Sequence, residues 1–162
     1  MSDRDAALAN GLIALLEGKG TEAVAQAEGW PGDWLARTIQ FLAYSFYLYE
    51  PTRAMDLYGG VERFQAMAAS ETVERYFMQG FGAMFRREPD ASLEAFRAAV
   101  ALAPDDPFVL LGWFLSCQRH DAPIEERAEA SARLARDLKH PAFAAAVTLR
   151  NPDPPPDPRN RP

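Results

Sequence analysis

Hydrophobic residues recur along the chain at intervals of three and four positions, which is the spacing of one face of an α-helix. Leu8, Leu12 and Leu16 form one such stripe near the start. Sustained alternation of apolar and polar residues is not found, and no Asn-Gly or Asp-Gly pair joins two β-branched runs. The pattern therefore predicts an all-α protein.

Glycine, proline and capping residues divide this pattern into helical segments. Asp106 precedes Pro107, which places an N-cap before a proline at the first helical position, and Pro104 ends the preceding helix. The pair Gly59-Gly60 costs ~2 kcal/mol of helix propensity relative to alanine, so a kink or break is predicted there. The predicted helices lie at about 4–17, 21–28, 32–49, 52–69, 72–86, 91–103, 107–118, 123–138 and 141–149.

A pattern of large and small residues recurs along the middle of the chain. With Val73 as position 1, positions 4, 8, 20, 24, 27 and 32 hold Tyr76, Gly80, Ser92, Phe96, Ala99 and Pro104. This copy resembles a tetratricopeptide repeat, a helix-turn-helix unit, and weaker copies precede and follow it. The resemblance implies an α-solenoid of about three repeats over 31–138, between N-terminal helices in 1–30 and a short C-terminal helix in 140–150.

The first helix of each repeat carries more apolar residues than its packing requires. In such repeats, positions 2, 5, 9 and 12 line the concave side, and their spacing puts them on one helix face. A contiguous exposed apolar patch is typical of a binding surface. The predicted peptide-binding groove consists of Gln40, Tyr44, Tyr47, Phe77, Phe81, Met84, Val109 and Trp113. The alternative is that these side chains are ordinary core, covered by the C-terminal helices.

The whole chain also resembles the class II type III secretion chaperones, which guard hydrophobic translocator proteins in bacteria. Four segments carry the similarity. They are a glycine-rich break at 15–23, an aromatic helix at 42–47, an Arg-aromatic-aromatic segment with Gly-x-Gly-Ala at 75–84, and a closing element at 140–143. The resemblance implies a chaperone that holds an extended segment of a hydrophobic secreted protein in the concave groove and keeps it soluble before secretion. Gln40 departs from the pattern, because the family favours an aromatic residue there.

Two alternatives remain open beside this reading. A general tetratricopeptide adaptor unrelated to secretion would fit the same repeats. The family resemblance also implies a homodimer through the N-terminal helices, but the stripe of Leu8, Leu12 and Leu16 could equally cap the solenoid.

Composition and charge argue against two classes of partner. The formal net charge of -6 and the pI of about 4.9 argue against nucleic acid and against an anionic membrane surface, which both require clustered Lys and Arg. The start of the chain is acidic, and its first apolar run, Leu12–Leu16, is too short for a membrane span. Together with the single Cys117, which cannot form an internal disulfide, these features predict a cytoplasmic protein without stable membrane insertion.

The sequence offers little for catalysis. It has no His or Cys pair at metal-binding spacing and no glycine-rich phosphate loop after a strand. Cys117 and His120 lie three residues apart, but no third group is in place to orient them. We therefore predict neither enzymatic activity nor a cofactor. The tail 151–162 holds six prolines and is predicted to be disordered, either as a solvated tail or as a docking motif.

Overall fold

The computed structural model describes residues 2–137 and 141–148, and within them all regular structure is helical. The predicted all-α class is therefore confirmed. The tail 151–162 and the ends of the predicted C-terminal helix, residues 140, 149 and 150, lie outside the described residues. The helices are α1 Asp3–Leu16, α2 Gly20–Ala27, α3 Trp34–Phe46, α4 Pro51–Asp56, α5 Val61–Ala68, α6 Val73–Phe85, α7 Pro89–Leu102, α8 Pro107–Arg119, α9 Ile124–Leu134 and α10 Pro141–Thr148, with a 3₁₀ turn at Ala135–Asp137.

Local sequence signals account for several of the helix boundaries. The Asp106 carboxylate accepts hydrogen bonds from the backbone N–H groups of Phe108 (2.9 Å) and Val109 (3.1 Å), which confirms the predicted cap of α8. The predicted helix over 52–69 is interrupted at Gly59 and Gly60, where φ is 82° and 114°. The break separates α4 from α5, as the paired glycines predict.

Consecutive helices pack as adjacent pairs: α1 with α2, α3 with α4, α6 with α7, and α8 with α9. The first helices of successive pairs also touch, since α3 packs on α6 and α6 packs on α8. This arrangement is compatible with an α-solenoid. At the end of the chain α10 packs on both α1 and α8, so it connects the first and last pairs. No helix in the described part of the chain is both long and apolar enough to cross a membrane.

The tightest packing in the stack surrounds Phe96 of α7. A Cβ atom added at Gly80 would lie 2.6 Å from the Phe96 ring, and one added at Gly112 would lie 2.4 Å from it. Beside this ring, the Ser92 hydroxyl donates a hydrogen bond to the Gly80 carbonyl (3.0 Å) and shares a 2.8 Å hydrogen bond with the Ser116 hydroxyl. Small residues on α6 and α8 thus allow α7 to insert one large ring between them, as the sequence pattern predicts for Gly80, Ser92 and Phe96.

Candidate functional site

Most residues of the predicted groove belong to the buried core, so the prediction that they line an open surface is wrong. The relative exposure is 0% for Phe77, 0% for Phe81, 0% for Val109, 3% for Met84, 4% for Trp113 and 5% for Tyr44. These six residues are core, as the alternative states, but Phe77 and Phe81 are covered by α3 and α7 and not by the C-terminal helices.

The reason is the direction in which α6 presents its aromatic residues. The ring of Phe77 lies 5.4 Å from Trp34 of α3 and 6.0 Å from Phe96 of α7, measured between ring centroids. The ring of Phe81 lies 5.2 Å from the same Phe96. Phe77 and Phe81, at repeat positions 5 and 9 of α6, therefore fill the space between neighbouring helices. Their side chains are not accessible to a partner chain.

The terminal helices bury the predicted N-terminal stripe. Leu8, Leu12 and Leu16 have relative exposures of 0%, 0% and 2%, because α1 packs against α2, α3 and α10. The ring of Phe143 in α10 lies 5.2 Å from that of Phe108 in α8. The stripe thus packs inside the chain, in agreement with the alternative that it caps the stack. A dimer through it would require α1 to leave this position.

Side chains of α9 contact the indole of Trp113. Its indole N–H donates a hydrogen bond of 3.0 Å to Glu126, which also receives two hydrogen bonds of 2.8 Å and 2.6 Å from the guanidinium of Arg97. The Arg97 hydrogen bond holds the pKa of the Glu126 carboxyl below its ordinary value. Arg133 lies over the indole ring at 5.6 Å. These contacts are those of a structural tryptophan.

Tyr47 and Gln40 are the two predicted residues that stay partly exposed, and they do not complete a groove. Tyr47 lies just beyond the end of α3, where its ring is 5.7 Å from that of Phe85, and burial raises the pKa of its hydroxyl to about 12. Gln40 donates a hydrogen bond of 3.4 Å to the Ala36 carbonyl of its own helix.

An open apolar cleft lies elsewhere, between α3, α5 and α6. Its volume is about 230 Å³. Apolar residues form its floor and walls, and polar side chains of α6 form its rim. The lining residues are Phe41, Leu42 and Phe46 of α3, Phe64, Met67 and Ala68 of α5, and Arg75, Met78, Gln79, Gly82 and Arg86, which lie on α6 or just after its end.

The α5 wall of this cleft is lightly attached. None of the residues of α5 is fully buried. The ring of Phe64 stacks on Phe41 at 4.9 Å and touches Tyr58 at 5.4 Å, which fixes α5 through one aromatic cluster. The break at Gly59 and Gly60 precedes α5 and separates this helix from α4.

The cleft face of α6 is a regular helical stripe. Arg75, Met78, Gly82 and Arg86 follow one another at intervals of three or four residues, and Gln79 adjoins Met78, which places them on one side of the helix. Sequence reasoning missed this stripe because it assigned the aromatic positions of α6 to the open face. The signal that could have revealed it is a row of small, flexible and charged residues at helical spacing beside the aromatic row.

Both arginines at the rim have more N–H groups than hydrogen bonds. Arg75 donates from Nη1 to the Ser70 carbonyl (3.1 Å) and lies 4.8 Å over the ring of Tyr76, while its Nε is buried and has no hydrogen-bond partner in the described part of the chain. Arg86 donates from Nε to Glu88 at 3.2 Å, with both side chains about half exposed. The cleft therefore combines an apolar interior with positive charge at its rim.

The remaining candidate chemistry is not arranged as a reaction centre. Cys117 is fully buried, and burial raises the pKa of its thiol to about 11, so it is protonated at neutral pH. Burial lowers the pKa of the nearby His120. Within the described ranges, His, Cys, Asp and Glu form no group of three that could hold a metal ion. That the chain is not an enzyme stays a prediction.

We compared the chain with models of known families, with curated proteins and with solved structures, and none of the three comparisons gave a match.

Proposed function

We propose that this chain is a helical-repeat protein that binds an apolar segment of another polypeptide, and that the cleft between α3, α5 and α6 is the binding site. The cleft is the single observation that carries the proposal, since most of the residues that line it are apolar. Its volume of about 230 Å³ is below the ~300–1,000 Å³ typical of small-molecule pockets, and it suits a few side chains of a partner.

The expected affinity is moderate. One Val or Leu side chain buried in the cleft contributes ~1.5–3 kcal/mol, and two or three such anchors must offset the entropy lost on association. A site of this size therefore favours a complex that forms and releases readily. Such behaviour is what a protein that guards a segment before handing it on requires.

The finer proposal is a cytoplasmic chaperone with tetratricopeptide-type repeats, which keeps a hydrophobic secreted protein soluble. The insertion of Phe96 between Gly80 and Gly112 supports the repeat assignment, because these small residues are where the repeat pattern requires close helix contact. The resemblance of the chain to the class II secretion chaperones supports the client class. The buried state of Phe77 and Phe81 moves the proposed site from the concave side to the cleft.

A general adaptor that joins two proteins through the same cleft is the second candidate. The two functions differ in the client. A chaperone is expected to change the solubility of a hydrophobic protein encoded beside it, whereas an adaptor binds a partner that is already soluble.

Co-expression tests the chaperone proposal. Where a hydrophobic two-span protein is encoded next to this chain, it is produced with and without this chain, and its soluble fraction is measured. Gly82→Leu is the blocking variant, because a side chain at Gly82 would enter the cleft beside Phe46 and meet only the mobile end of Arg86 at 3.3 Å. Gly29→Leu is the matched control, since nothing lies within 4 Å of a Cβ atom added at Gly29.

We expect the client to be soluble with the wild type and with Gly29→Leu, and to aggregate with Gly82→Leu. A client that is equally insoluble with and without the wild-type protein would refute the chaperone function. A client that stays soluble with Gly82→Leu would move the binding site away from the cleft.

A further inference from the structure

Two arginines mark opposite ends of the cleft. Arg75 lies in α6, and Arg86 is the first residue after this helix, on the same face. The two are eleven positions apart, so their Cα atoms are separated by ~16 Å along the helix axis at 1.5 Å per residue. The Nε of Arg75 is buried without a hydrogen-bond partner in the part of the chain that the structure describes. Arg86 is engaged by Glu88 in a half-exposed ion pair, which a new partner can replace at small cost.

The surface between these arginines offers little to a peptide backbone. Among its lining residues only Arg75, Gln79 and Arg86 have polar side chains, and the floor is made by residues such as Phe41 and Met78. An extended segment buried here would leave backbone N–H and C=O groups without partners, which is costly. A helix satisfies these groups internally and buries only side chains. The chemistry of the floor therefore favours a helical guest.

The architecture of the stack leaves a place for such a helix. In the pair formed by α6 and α7, α7 is a continuous helix of 14 residues. In the preceding pair the partner of α3 is α4, which has only 6 residues before the chain turns away at Gly59 and Gly60. Gly82 lines the cleft at the middle of this stripe and has no side chain, which permits the close approach of another helix.

We infer that the occupant of the cleft is an amphipathic α-helix of the partner protein that carries two carboxylates eleven residues apart. Its apolar side chains lie between the carboxylates and insert between Phe46, Phe64 and Met78, and the carboxylates pair with Arg75 and Arg86. The inference rests on the proposed function and specifies the form and the charge of the segment that is bound. This mode is that of a helix laid in a hydrophobic groove.

Synthetic peptides provide the test. Four fluorescein-labelled peptides of 16 residues share one leucine stripe. The reference peptide has two Glu residues eleven apart. The second has them five apart, the spacing that spans ~16 Å in an extended segment. The third has Lys in place of both Glu, and the fourth has the reference sequence with a central proline. Binding is followed by fluorescence anisotropy.

We expect the reference peptide to bind the wild-type protein about tenfold more tightly than the Lys peptide, since two partly exposed ion pairs contribute about threefold each. The proline peptide should bind at least ~100-fold more weakly, because proline breaks the helix. Replacing both arginines, in Arg75→Gln/Arg86→Gln, should remove the difference between the Glu and Lys peptides. Gly82→Leu should abolish binding, and Gly29→Leu should leave it unchanged.

Equal or tighter binding of the proline peptide or of the five-spaced peptide would overturn the helical occupant in favour of an extended one. Failure of every peptide to distinguish the wild type from Gly82→Leu would overturn the inference as well. So would a concentration-dependent dimer that Gly82→Leu dissolves, because the occupant would then be a second copy of this chain. A client kept soluble in the co-expression assay would leave the proposed function standing in all of these cases.

Discussion

Two glycines of α6, Gly80 and Gly82, should respond in opposite ways to the same substitution by alanine. They lie two positions apart in one helix, so the gain in helix propensity, ~1 kcal/mol for Gly→Ala, is the same at both. Their surroundings differ. A Cβ atom at Gly80 would lie 2.6 Å from the ring of Phe96, whereas one at Gly82 would meet the end of Arg86 at 3.3 Å and Phe46 at 3.9 Å.

The Phe96 ring cannot move aside to accommodate Gly80→Ala. It has no exposed surface, and Gly112 lies against its other edge, where an added Cβ would be 2.4 Å away. Overpacking of this kind costs ~1–3 kcal/mol, and a contact this short lies at the upper end of that range. After the gain in propensity we expect Gly80→Ala to lower the free energy of unfolding by ~2 kcal/mol. Gly82→Ala should raise it by ~0.5–1 kcal/mol, because the Arg86 side chain is free to shift.

Chemical denaturation followed by circular dichroism measures both values, and thermal unfolding provides a second readout. A difference of ~3 kcal/mol corresponds to roughly 6–12 °C between the two variants for a chain of this size. A Gly80→Ala variant at least as stable as the wild type would refute the packing of Phe96 between α6 and α8. A destabilised Gly82→Ala variant would remove the basis for using Gly82 as a position that opens onto the cleft.

Two further predictions concern the hinge of α5 and the buried thiol. Gly60→Ala should destabilise the protein by ~1–3 kcal/mol, because φ is 114° and ψ is 174° at Gly60, a backbone conformation that alanine rarely adopts. Nothing lies within 4 Å of a Cβ atom added there, so the cost comes from the backbone alone. Gly29→Ala is the control, and equal melting temperatures of the two variants would contradict backbone strain at Gly60. Cys117 should react with a disulfide reagent at pH 8 at least ~100-fold more slowly in the native protein than in urea, because a thiol pKa of about 11 against an ordinary 9.0 suppresses the thiolate. The raised pKa also means that ionisation of Cys117 favours unfolding only as the pH rises from about 9 towards 11. Fast labelling of the native protein would show that the thiol is accessible.

Local signals in the sequence were sufficient to locate the helices and several of their boundaries. Other boundaries differ: the helix predicted over 32–49 ends at Phe46, and the one predicted from 91 begins at Pro89. The cap at Asp106, the proline that follows it and the interruption at Gly59 and Gly60 each act within a few residues, so their effect can be read without knowing the fold. The close packing of Gly80 against Phe96 was also predictable, because a small residue opposite a large ring at repeat spacing has one simple mechanical meaning.

The candidate site could not be read in the same way. The spacing of Phe77 and Phe81 shows that they share a face of α6, but it does not say whether that face meets solvent or another helix. Only the contacts with Trp34 and Phe96 decide that the face is interior. The same contacts turn Met78 and Gly82 towards the cleft.

The sequence by itself thus determined that the chain is helical, roughly where its helices lie, and which small residues allow them to pack closely. The tertiary structure decided which apolar faces remain open, because exposure depends on neighbours that are distant along the chain. A cleft remains between α3, α5 and α6, while α1 and α10 cover apolar residues elsewhere in the stack. Periodicity specifies a face of a helix, and only the packing of all the helices specifies what that face touches.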